Sequence, residues 1–134
     1  MSTRTGSAAS PGTHRYLSWT LQGLAGIAFL AAGGAKLAGV PMMVGIFEQI
    51  GFGQWFRVLT GVVEVVGALA ILVPRTAAFG GLLLATTMVF GVLTHLFLIG
   101  GSPMPACLLL IVTATVAWLN RATLLPAHGR PGLA

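Results

Sequence analysis

The chain has 134 residues, of which 56% are hydrophobic and only 7% charged, against about 25% charged residues in soluble domains. Two acids, Glu48 and Glu64, face seven bases for a net charge of +5, too little charge to cover a water-soluble fold, so lipid is the implied solvent. The bases Arg4, Arg15, Lys36, Arg57, Arg75, Arg121 and Arg130 stand singly at the edges of apolar runs, which is the spacing of membrane anchors and excludes a phosphate-binding patch, and with it a nucleic-acid partner.

Residues 1–16, rich in Ser, Thr, Gly and Pro without an apolar period, are expected to form a disordered tail. From Leu17 to Val40 the chain is apolar apart chiefly from Gln22 and Lys36, long enough at ~20 residues per crossing for a first transmembrane helix over 17–40. Arg15 ahead of this run and Gly33-Gly34-Ala35 within it also outline a signal peptide, but the run exceeds the ~7–15 residues usual for one. Pro41 to Phe56 mixes Met42, Met43, Phe47 and Trp55 with Glu48, Gln49 and Gln54; it is too broken to span and reads as an interfacial or re-entrant segment.

A second helix is predicted over 57–73, its apolar run Val58 to Val73 reaching ~24 Å. The turn Pro74-Arg75 leads to a third over 77–99, and Gly100-Gly101-Ser102-Pro103 to a fourth over 104–119. Trp118 and Asn120-Arg121 close it, and 121–134 is a short tail. The prediction is an all-α polytopic membrane protein, a four-helix transmembrane bundle over 17–120. With four spans both termini share a side, which holds five of the bases against Lys36 and Arg57 opposite, so the positive-inside rule puts the termini in the cytoplasm.

Cys107 is the only cysteine, which excludes an intrachain disulfide, a CxxC centre and a multi-thiolate metal site. P-loop, dinucleotide, HExxH and GxSxG motifs are absent and two acids are too few for a carboxylate cage, leaving no autonomous catalytic site. What remains is a polar layer. Gly33 and Lys36 share a face of the first helix, Gly61 and Glu64 of the second, and Gly91 and His95 of the third. Counted from the helix ends at ~1.5 Å per residue, Lys36, Glu64, His95 and Cys107 all lie ~6–10 Å inside the non-cytoplasmic boundary.

Intramembrane ionisable groups mark ligand, ion or proton paths, so Lys36, Glu64 and His95 are the candidate site, expected to close into one cluster and to act as a proton relay or a head-group site. Glu48 and Cys107 are secondary candidates. Each has a structural alternative: Glu64 as helix glue, Lys36 as a snorkelling anchor, His95 as a histidine bonding a neighbouring helix, Cys107 as a small buried hydrophobe.

The order of Gly33-Gly34-Ala35-Lys36-Leu37, the aromatic connector after Pro41, Gly61-Val62-Val63-Glu64, the exit Leu72-Val73-Pro74-Arg75 and His95 resembles the DoxX family of small four-helix membrane proteins. The resemblance implies a bacterial inner-membrane protein. It also implies, as in some relatives, a non-catalytic subunit of a redox or stress-response assembly, with quinone as the cofactor to consider and a soluble oxidoreductase or a second copy as partner. The lone Cys107 departs from relatives that handle disulfides with paired cysteines. Two other readings stand beside it: a proton-coupled transporter using Glu64, and a lipid- or cargo-binding assembly factor using the connector as its contact surface.

Overall fold

Helices account for nearly all of the described residues. The computed structural model describes residues 11–125, in the order α1 (Pro11–Ala38), α2 (Pro41–Ile50), α3 (Gln54–Leu72), α4 (Ala77–Thr94) and α5 (Met104–Leu119); a π-helical turn, His95–Ile99, continues α4, and a 3-10 turn, Arg121–Leu124, follows α5. Three segments are long and apolar enough to cross a membrane, Gly12–Ala38, Gln54–Leu72 and Ala77–Ile99, and α5 is a shorter apolar helix of ~24 Å. The chain is thus a helical membrane protein of the expected class.

Three boundaries differ from the sequence reading. The first helix already includes Pro11 to Tyr16, ahead of the expected start near Leu17; the rest of the expected tail, residues 1–10, lies outside the described residues. The connector after Pro41 is largely helical. Its ten-residue α2 buries Phe47 and ends on Gly51, which at φ 87° donates its N–H to the Phe47 carbonyl; at ~15 Å it is too short to cross. The second span begins at Gln54, where Phe56 packs on Phe47, Phe52 and Trp55 with ring centroids 5.5–5.8 Å apart. The added turn lengthens it to ~28 Å, close to the hydrocarbon thickness.

Helices α1, α3, α4 and α5 pack in a closed ring, α1 on α3, α3 on α4, α4 on α5 and α5 back on α1, while α2 lies on α3 and the π turn. Each of the four gives a large, fully buried apolar side chain to the core: Phe29, Ile71, Leu84 and Val116. The outer faces carry exposed Leu24, Ile27, Leu69, Phe79 and Ile111, which lipid covers in a membrane protein.

Between helices in lipid, tight packing replaces the hydrophobic effect, and the α1–α3 and α3–α4 crossings depend on it, as does α4–α5, where a Cβ on Gly81 would stand 2.8 Å from the Thr113 carbonyl oxygen. A Cβ on Gly33 would stand 2.9 Å from the Gly61 carbonyl oxygen, and one on Gly80 only 2.5 Å from the Ile71 nitrogen and 2.8 Å from the Gly67 oxygen. Toward the Lys36 end the packing loosens: a Cβ on Gly91 would meet nothing closer than 3.7 Å.

Candidate functional site

Beyond the Gly67–Gly80 crossing, α3 and α4 enclose with α1, α2 and α5 a cavity of about 1020 Å³. Phe29, Phe47, Phe56, Met88 and Leu109 make apolar walls, and Lys36 and Glu64 are the charged groups on them. Leu59 of α3 and Phe90 of α4 line the cavity while 48% and 64% exposed. The cavity therefore reaches the lipid-facing surface of these helices, as it also does at the exposed lining residues Phe52 and Phe97.

The charged pair follows from the backbone. Lys36 shares a helical face with Gly33 and Glu64 with Gly61, so the contact that joins the glycines turns the two faces together; α1 and α3 run antiparallel, and the long Lys36 side chain reaches back along the crossing to Glu64, whose Cβ packs beside Gly33. The Lys36 ammonium donates to Glu64 Oε2 at 2.9 Å, with the side chains 12% and 3% exposed. Opposite charge and hydrogen bond together lower the cost of holding each group in a low dielectric. Lys36 also lies in the last turn of α1, where the helix dipole favours a cation. Glu64 Oε1 receives no hydrogen bond from the described residues.

Arg57, read from sequence only as an anchor, braces this pair. Its guanidinium donates to the Lys36 carbonyl, in the last turn of α1, which also accepts from the Gly39 N–H at 3.2 Å, and its Nε donates to Gln54 Oε1 at 2.7 Å. The signal was present: positions 57, 61 and 64 fall on one helical face.

His95 lines the same cavity, but the expected closed cluster of three divides. Its Nδ1 lies 3.0 Å from the Gly100 carbonyl oxygen, and it makes no hydrogen bond to Lys36 or Glu64. The cause is local: α4 widens into a π turn and the chain reverses at Gly100, φ 69°, which returns that carbonyl to the ring. Gln49 of α2 donates to the Ile99 carbonyl at 3.3 Å, tying α2 to the same turn. Glu48 is exposed, has no ion-pair partner among the described residues and does not line the cavity. Cys107 is half-buried on α5 beside the lining residue Ala106, also outside the lining. Among the described residues no three His, Cys, Asp or Glu side chains are placed to hold a metal.

A second polar group, at the opposite end of the bundle, escaped the sequence reading. Ser18 Oγ accepts from Gln22 Nε2 at 2.7 Å and from Asn120 Nδ2 at 3.0 Å, linking the N-terminal part of α1 to the end of α5; Gln22 Oε1 is buried without a partner among the described residues. No hydrophobic period announces a contact between residues 102 positions apart. The buried layer of Phe29, Ile71, Leu84 and Val116 lies between this group and the Lys36–Glu64 pair. The one buried threonine, Thr113, donates its hydroxyl to the Leu109 carbonyl of its own helix at 2.7 Å.

Compared with known proteins, the chain matches the family model described as the DoxX-like family over residues 20–120, a stretch that takes in most of α1 and all of α2 to α5. No curated protein and no solved structure matches.

Proposed function

The chain belongs to the DoxX-like family, and from that premise we propose that it is a non-catalytic membrane subunit or scaffold of a redox or stress-response assembly, holding the head of a lipid or quinone at Lys36 and Glu64. The observation that carries this reading is the cavity that reaches the lipid-facing surface with the ion pair on its wall. Pockets of this size with a few convergent polar groups are the usual form of small-molecule sites, and an opening past exposed Leu59 and Phe90 admits ligands from the bilayer.

Quinone fits the site in part. The apolar walls suit its ring and tail and Lys36 suits a carbonyl oxygen, whereas Glu64 Oε1, an acceptor, has nothing to receive from a carbonyl. A proton-coupled transporter requires access from both sides in turn. The apolar layer between the pair and the Ser18–Gln22–Asn120 group favours binding over conduction.

In this reading the protein sits in a bacterial inner membrane with both termini cytoplasmic, which puts the cavity in the outer half of the bilayer. Single cysteines in a Cys107→Ser background test the orientation: Ser102→Cys is expected to label from outside and Thr76→Cys from inside, and the reverse pattern refutes it. The assembly role is tested by purification from native membranes in mild detergent. A soluble oxidoreductase recovered in stoichiometric amount is expected; recovery of the chain with copies of itself alone removes the redox-assembly half of the proposal.

A further inference from the structure

The same cavity carries information about the head group it takes, on the premise that it is an amphiphile site. Lys36 and Glu64 neutralise one another at 2.9 Å. Arg57 points its donors at Gln54 and the Lys36 carbonyl and does not line the cavity. A phosphate head would add a net negative charge to this neutral pair, in which Glu64 is 3% exposed, and an ammonium head a net positive one; each leaves one buried charge without a compensating partner.

The head must also bring a donor. Glu64 Oε1 receives no hydrogen bond from the described residues, and the threonines on the walls have none to spare: Thr60, Thr86, Thr87 and Thr94 each donate to the carbonyl four residues back in their own helix, at 2.8–2.9 Å. A hydroxyl gives its proton to Oε1 and accepts from one of the remaining Lys36 N–H groups through the same oxygen, with no change in charge. A carbonyl or ether serves only Lys36.

The geometry points to an uncharged amphiphile whose hydroxyl bridges Glu64 Oε1 and Lys36 Nζ, its chain leaving toward lipid past exposed lining residues such as Leu59 and Phe90. The test is a native mass-spectrometric titration of the delipidated full-length protein with four probes of one chain length: hexadecylglycerol, its dimethyl ether, hexadecyl phosphate and hexadecylamine. Hexadecylglycerol is expected to bind about tenfold more tightly than each of the others. In the Lys36→Met/Glu64→Gln double variant, which keeps the cavity walls, that margin should shrink to within about threefold.

Equal or tighter binding of the phosphate, the amine or the ether by the parent protein overturns the hydroxyl assignment and leaves the amphiphile site standing. An undiminished margin in the double variant also overturns it, since the preference then arises away from the pair. If none of the four binds, the amphiphile site itself fails, and this inference with it.

Discussion

Lys36→Met is expected to destabilise the folded protein by about 3 kcal/mol or more, since removing one partner of a buried pair leaves an uncompensated charge. Glu64, at 3% exposure and near the middle of α3, cannot move its carboxylate to water. Glu64→Gln is expected to cost less, about 1 kcal/mol, because Lys36 sits in the last turn of α1 and its long side chain can carry the ammonium to the interface. The double variant should recover much of the larger loss, as replacing both partners of a buried pair is often close to neutral. The Arg57 contact to the Lys36 carbonyl is to the backbone and survives all three changes. Unfolding equilibria in bicelles check the cycle: a coupling of about 1 kcal/mol or more is expected, and additive single effects would mean that the two side chains do not interact.

A comparable loss is expected from one methyl group placed at the α3–α4 crossing. In Gly80→Ala the new Cβ would meet the Ile71 nitrogen at 2.5 Å and the Gly67 oxygen at 2.8 Å. These are backbone atoms of α3, so relief requires the helices to part rather than a side chain to turn. Overpacking costs about 1–3 kcal/mol, and a contact this short between backbones belongs at the upper end. The cavity lies directly beyond this crossing, so ligand binding should weaken together with stability. Gly34→Ala is the control: its Cβ has nothing within 4 Å, and alanine in place of glycine favours a helix by up to about 1 kcal/mol. Thermal unfolding in detergent compares the two, and equal stabilities would contradict the crossing.

How much of this was legible depends on what kind of interaction fixed each part. The spans announced themselves, because apolar runs the length of a bilayer have few alternatives. Lys36 and Glu64 were placed at one depth by counting from helix ends, and the three-residue offsets from Gly33 and Gly61 gave their faces. The connector was harder: Gly45, Glu48, Gln49 and Gln54 interrupt its apolar pattern, and its helix is secured by burial of Phe47 and by the cap at Gly51. The helical path of residues 11–16 is obscured because Thr13, His14 and Arg15 allow a helix but show no apolar period. His95 is matched to the layer by depth and by its shared face with Gly91, whereas its partner is set by a π turn, a backbone event that side-chain periodicity does not encode. The Ser18–Gln22–Asn120 group joins the two ends of the chain, and only the closing of the helix ring brings them together.

The central claim is that the Lys36–Glu64 pair holds a membrane amphiphile inside the bundle. The most direct measurement is native mass spectrometry of the protein released gently from its own membrane, parent beside the Lys36→Met/Glu64→Gln double variant, whose fold the stability cycle is expected to preserve. The parent should retain an amphiphile in a one-to-one complex that survives detergent exchange, and the double variant should lose it. A parent that emerges free of bound amphiphile, or a double variant that retains it equally, would contradict the account.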